Sequence, residues 1–201
     1  MENKRMEFKT VMENKIGELT TALQAVQTKF DELEAVKATG EETVKGLVEK
    51  KASLLESLQL ATDLTTAKNL KAQVTDTEED LELQEALNKG KAVQKASELV
   101  ELFNSYFAVH AGAKTAFNTL DREYIETMSI RTVEADTELL EGFAREINFS
   151  FATATALLIE AGIVAQSDRF YGNIHLGQMS LMTKGHSMKV AMRDTQRELS
   201  I

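Results

Sequence analysis

The 201-residue chain has no cysteine and no proline. Without cysteine there is no disulfide, no thiolate-held zinc, no iron–sulfur cluster and no thiol nucleophile, and the redox compartment is left open. Average usage of about 5% would give roughly ten prolines. Their absence predicts long uninterrupted helices, because proline is the residue that helix interiors exclude most strongly. There is no GxSxG, no Walker-type glycine loop and no GxGxxG, so nucleophile and phosphate-cradle chemistry lack support. His110, His175 and His186 are the only histidines. None has another at i+3 or i+4, so a metal site would have to be assembled across the fold, and histidines without a ligand role are the expected reading. The longest uncharged apolar stretch, residues 147–159, is too short to span a bilayer. Glu2, Lys4, Arg5, Glu7 and Lys9 open the chain without an apolar secretory core. A net charge of -9 opposes nucleic acid or anionic lipid as the main partner. These absences predict a soluble, cytoplasmic protein with no cofactor and no membrane partner.

Aromatic residues divide what remains. After Phe8 and Phe30 none occurs until Phe103, and then come Phe103, Tyr106, Phe107, Phe117, Tyr124, Phe143, Phe149, Phe151, Phe170 and Tyr171. A stretch without aromatics favours a narrow seam between helices, whereas an aromatic-rich core fills a globule. The boundary is placed at Asn88-Lys89-Gly90, giving a coiled-coil hairpin region (1–90) and an aromatic-rich helical domain (91–201).

Within the first region Met12, Ile16, Leu19, Leu23, Val26, Phe30 and Leu33 alternate gaps of four and three, the a/d seam of a coiled coil. The four residues Met1-Glu2-Asn3-Lys4 recur as Met12-Glu13-Asn14-Lys15, about three helical turns on. The repeat then reads as the solvated flank of the first clear seam residue. Thr39-Gly40-Glu41-Glu42 combines a helix-ending glycine with a capping box and predicts a chain reversal. Residues 3–38 and 42–73 should then pair antiparallel. Thr75-Asp76-Thr77-Glu78 has the same capping pattern and is a candidate start for a third helix. A helix over 3–38 is about 54 Å long, against a radius of gyration of about 16–17 Å for a compact chain of this size. An elongated molecule is expected.

In the second region residues 92–120 keep helical spacing. Leu140, Phe143, Ile147, Phe151, Ala154 and Leu158 form one helical face, which accounts for more residues than the strand-like alternation of Ile147, Phe149 and Phe151. Ile174–Met182 reads either as a β-hairpin or as a loop. The fold class is therefore all-α or mainly α, with a small hairpin near the C-terminus as an option. Two surfaces are candidates for docking. Arg169, Phe170 and Tyr171 form a dense polar-aromatic cluster, read either as a hot spot or as an anchor that pins a loop. Lys189, Arg193 and Arg197 make a basic stripe on a C-terminal amphipathic helix, read either as a solvated face or as a docking segment for an acidic partner.

An acidic, cysteine-free coiled-coil body ending in a basic amphipathic helix resembles tailed-phage head-assembly proteins, either scaffolding proteins or the helical delta segment that precedes some capsid proteins. The resemblance covers chiefly residues 1–90 and 187–199. It implies a non-enzymatic structural protein whose coiled coil drives homo-oligomerisation and whose basic tail, through Lys189, Arg193 and Arg197, binds the capsid or another virion protein. The aromatic segment from Phe103 to Tyr171 is larger than a minimal scaffold needs, which leaves a minor head or neck protein equally open. A bacterial coiled-coil adaptor or membrane-stress effector is the alternative class. An enzyme would need a pocket that the sequence does not advertise. Partner identity, oligomer number, and whether the coiled coil closes within one chain or between chains are not written in the sequence.

Overall fold

The computed structural model describes the backbone of residues 2–129, 131–177 and 181–199, and their side chains except at 2 and 195–199. Helix α1 spans Glu2–Leu60, α2 Leu64–Ile125 and α3 Val133–Glu160. Strands β1 (Phe170–Tyr171) and β2 (Ile174–His175) follow, then α4 (Gly185–Leu199). The protein is mainly α, in keeping with the long uninterrupted helices expected of a proline-free chain, with two long N-terminal helices packed on each other.

The reversal expected at Gly40 does not occur; α1 runs through it, and the chain turns at Ala61-Thr62-Asp63. Asp63 Oδ1 accepts the Thr66 N–H at 2.8 Å and so satisfies one of the free donors at the start of α2. Gly40 has a different use. A Cβ there would lie 2.8 Å from Asn88 Cγ, and Asn88 Nδ2 donates to the Gly40 carbonyl at 2.9 Å. The glycine marks a close approach of two helices instead of a helix end. The capping pattern at Thr75-Asp76-Thr77-Glu78 likewise lies inside α2. Thr77 is buried, and its hydroxyl donates to Gln73 O of its own helix at 2.7 Å. Asn88-Lys89-Gly90 also falls mid-helix.

The pairing of residues 3–38 with 42–73 is corrected accordingly, since most of both segments belongs to α1. Lys29 meets Glu98, Glu32 meets Lys95, Gly40 meets Asn88 and Lys51 meets Glu78. The numbers rise on α1 as they fall on α2, so the two helices are antiparallel.

Contacts divide the chain into two compact units, one of residues 1–27 with 100–201 and the other of residues 28–99. The first has an aromatic core. Phe103, Tyr106 and Phe117 have no exposed surface, and Phe8 packs against Tyr124 and Phe143 with ring centres 4.7 and 5.8 Å away. Met12, Leu19 and Val26 are buried in this unit of the single chain, and Ile16 and Leu23 are half-buried. Each fully buried aliphatic side chain contributes about 1.5–3 kcal/mol. Arg5 ties α1 to the α2–α3 connection: its Nη2 donates to Thr127 O, to Thr132 Oγ1 and, at 2.7 Å, to Asp136 Oδ2.

Helix α3 buries Leu140, Phe143, Ile147, Phe151, Ala154 and Leu158, the face expected of it, and leaves Phe149 73% exposed, which the strand alternation would have buried. It ends where Gly162 takes φ +74 and Ile163 N–H returns to Leu158 O, a left-handed helix stop. The hairpin lies earlier than Ile174–Met182: Phe170 pairs with His175 and Tyr171 with Ile174, around Gly172 at φ +56. Residues 178–180 lie outside the described residues.

The second unit, residues 28–99, is a two-helix hairpin with a thin seam. Phe30, Leu33, Val74 and Leu99 are its buried apolar side chains among the described residues, with Thr77 beside them.

Candidate functional site

Three features of the described residues bear on function: the proposed docking residues, a cavity beside His110, and the apolar outer surface of residues 28–99.

The polar-aromatic cluster is divided by the fold. Tyr171 is half-buried and its ring lies 5.8 Å from Phe107, so it anchors the β-hairpin to the core. Phe170 on the same strand points the other way, 58% exposed, with its ring edge-on to His175 at 4.8 Å. Alternation along a strand separates neighbours in this way. Arg169 is exposed.

Helix α4 packs on α3. Arg193 bonds Glu134 in the first turn of α3, and that bond, aided by the charges of Arg193 and Lys189, holds the Glu134 carboxyl below its ordinary range. The basic stripe therefore already faces a carboxylate of its own chain. His186 Nδ1 lies 3.6 Å from Glu141 Oε1, a second point along the same pair of helices. The side chain of Arg197 lies outside the described residues.

The cavity has a volume of about 360 Å³ and is framed by His110 and Lys114 of α2, by Ile147, Phe151 and Thr155 of α3, and by Leu176 and Leu181 beyond the hairpin. His110 is buried, with Phe151 4.7 Å from its ring centre. Burial first, and the Lys114 charge second, push its pKa down to about 4, so the ring is neutral at physiological pH. Asn148 closes one side by a reciprocal bond: its amide donates to Leu181 O at 2.9 Å, and its oxygen accepts the Leu181 N–H at 2.8 Å. Among the described residues no carboxylate or thiol lines the space. The described lining offers an apolar shape with one neutral imidazole, His110, and the amine of Lys114.

Below the cavity the segment entering α4 is pinned to the bundle. Thr183 Oγ1 donates to Asp121 Oδ1, and Thr137 Oγ1 donates to Gly185 O at 3.2 Å. Tyr106 and Ser150 share a buried hydrogen bond of 2.9 Å. These bonds satisfy buried polar groups and read as structural. Among the described residues no group of three or more His, Asp or Glu is placed to hold a metal ion, and no helix is long and apolar enough to cross a membrane.

The third feature was missed in sequence. Residues 28–99 leave Val48, Leu55, Leu60, Leu64, Leu83, Leu87 and Val93 exposed, from 39% at Leu55 to 80% at Leu60. A 3/4 spacing marks a helix face without telling an inward face from an outward one, and Leu83, Leu87 and Val93 have such a spacing on the outward side. Comparison with protein-family models, curated proteins and solved structures finds no match to this chain.

Proposed function

We propose that this protein is a non-enzymatic structural or assembly component, of the kind found in phage heads or virions, which acts by helix-mediated self-association and docking to a larger assembly. The carrying observation is the surface of residues 28–99, whose large apolar side chains are exposed at many positions while the seam beneath them holds few buried ones. Scattered exposed leucines are ordinary, but a concentration of them on one hairpin is what an interaction surface presents. In this reading the seam residues Met12 to Leu33 hold the single chain together, and the outer hairpin surface joins copies or partners. Phe170 and Arg169 supply a second contact for a protein partner, as an exposed aromatic beside a guanidinium does at hot spots. The tail docks through Lys189 when an external acidic surface competes with Glu134 for Arg193. The setting is the host cytoplasm, or the virion if the chain is phage-derived.

Light scattering on the purified protein across a concentration series tests the reading. Mass rising above that of one chain is expected, and a strictly monomeric mass into the hundreds of micromolar would remove self-association from the proposal.

A further inference from the structure

On α2 the residues that face α1 recur as Leu81, Gln84, Asn88, Ala92, Lys95 and Leu99, all buried or half-buried. At about 100° per residue, the opposite side of the helix carries Leu83, Ala86, Gly90, Val93, Gln94 and Ser97, with Leu87 at its edge. All seven are exposed, and none is charged. Leu83 is 63% exposed, Leu87 57% and Val93 61%. Gly90 sits at the middle of this stripe, inside a helix, where glycine costs about 1 kcal/mol relative to alanine. Among the described residues nothing asks for it: a Cβ at Gly90 would meet no atom within 4 Å, unlike the one at Gly40.

The charges that border the stripe identify its occupant. Asp80 and Lys91 lie on one flank, Glu82 and Lys89 on the other. The acids are toward the N-terminal end of the stripe and the lysines toward the C-terminal end on both flanks. Among the described residues none of the four makes an ion pair within the chain, whereas Glu78 and Lys95 nearby are paired to α1. Asp80 and Lys91 are symmetric about a point between Glu85 and Ala86, and Glu82 and Lys89 are symmetric about the same point. A parallel copy would set acid against acid and lysine against lysine along both flanks. An antiparallel copy sets each acid against a lysine, twice on each flank.

We infer that the outer face of α2 is a self-recognition surface, on which a second copy of this chain packs antiparallel about a twofold axis beside Ala86. Leu83 of one copy lies at the level of Asn88 of the other, between its Leu87 and Gly90, Leu87 packs near the axis, and the pairs Asp80 with Lys91 and Glu82 with Lys89 fix the direction and the register. The surface is self-complementary, as a twofold contact requires. Four turns of helix bury less than a standard interface of about 1,600 Å², so the dimer forms in a concentration-dependent way. This inference rests on the self-association proposed above and adds which face is used and in which direction.

The test uses the natural lack of cysteine. Ala86→Cys and Ser97→Cys are made separately in the full chain and oxidised at a concentration where the wild type shows dimer mass. In the antiparallel dimer the two copies of position 86 flank the axis and cross-link. The two copies of position 97 are about 35 Å apart at 1.5 Å per residue, far beyond disulfide reach of about 7 Å, and stay monomeric on a non-reducing gel. Cross-linking of both variants would mean a parallel pair and overturn the inference. Cross-linking of neither, while light scattering still shows an oligomer, would overturn it in favour of another surface and leave the self-association reading standing. A monomeric wild type would remove both. The Lys89→Glu/Lys91→Glu variant should weaken the dimer at least about tenfold, and mixing it with Asp80→Lys/Glu82→Lys should restore a heterodimer. Homodimerisation of the lysine-reversed variant at wild-type strength would likewise defeat the charge argument.

Discussion

Residues 1–27 with 100–201 and residues 28–99 are built from the same two helices, yet they are stabilised differently. The first unit surrounds α1 and α2 with α3, α4 and the hairpin, and fills the space with rings: Phe103, Tyr106, Phe117 and Tyr124 are almost wholly buried. In the second unit, among the described residues, the same helices pack on each other alone, and their contact includes Gln84, Asn88 and an ion cluster. In that cluster Lys29 and Lys95 reach Glu32 and Glu98 at 2.7–3.3 Å. Bonds from Lys29 and then Lys95 lower Glu32 to about 2, so the cluster remains charged through the ordinary pH range. Two helices can bury one stripe each, whereas a third and a fourth let more of each helix surface be covered. The difference teaches that one continuous helix can serve as core in one stretch and as contact surface in the next, according to what packs beside it.

The largest expected effect lies in the aromatic unit. Phe103→Ala should cost about 3–5 kcal/mol in urea unfolding, the range for emptying a fully buried aromatic site. Leu87→Ala, on the exposed face of the other unit, should stay within about 0.5 kcal/mol below the dimer concentration. Equal losses in the two variants would erase the contrast between core and surface.

A pH experiment comes next. His110 has its pKa depressed by burial to about 4, below the unfolded value of about 6.5. Between those values the unfolded chain binds the extra proton, so stability rises with pH across that window. The stabilisation of the neutral ring is complete above pH 6.5 and is lost as pH falls toward 4, by up to about 3 kcal/mol. His110→Phe should flatten this part of a Tm-against-pH curve relative to wild type. Parallel curves for the two proteins would show that His110 is not the group responsible.

The smallest effect compares two glycines, each inside one long helix of the second unit. Gly40→Ala should destabilise by about 1–2 kcal/mol, because the new methyl group displaces Asn88 from 2.8 Å contact. Gly90→Ala meets open space and should stabilise the monomer by up to about 1 kcal/mol at low concentration. Thermal melts at a few micromolar protein read both, and a gain at position 40 would deny the close helix approach.

What could be read from sequence follows from which signals are local. The Met12 to Leu33 seam and the Leu140 to Leu158 face were legible because a buried stripe on a long helix leaves a regular 3/4 spacing, and α1 and α3 bury those stripes. The reversal was misplaced because glycine has two uses that look alike along a chain. Thr39-Gly40-Glu41-Glu42 has the composition of a stop followed by a cap, but what requires the glycine is Asn88, forty-eight residues away. The true turn carries a quieter signal, Asp63 before Leu64, without the glutamate that completes a capping box. Tyr171 could be named as an anchor or a hot spot from sequence, and its ring packs on Phe107 in the way an anchor does. The outer stripe of α2 was not legible, because apolar residues on the solvent side acquire meaning only once the inward side is known.

The order in which the chain is made gives the division into units a further consequence. Residues 1–27 belong to the same unit as residues 100–201, and residues 28–99 intervene. At about 5–20 residues per second, a ribosome takes several seconds to make residues 28–99 before it reaches residues 100–201, the rest of the unit to which Met12, Leu19 and Val26 belong. Throughout that interval the nascent segment has its apolar side and no native partner, which is when holdase chaperones bind. A translational pause after residue 99 would prolong the exposure, and a stop there would leave a hairpin whose N-terminal arm has lost the aromatic half of its unit.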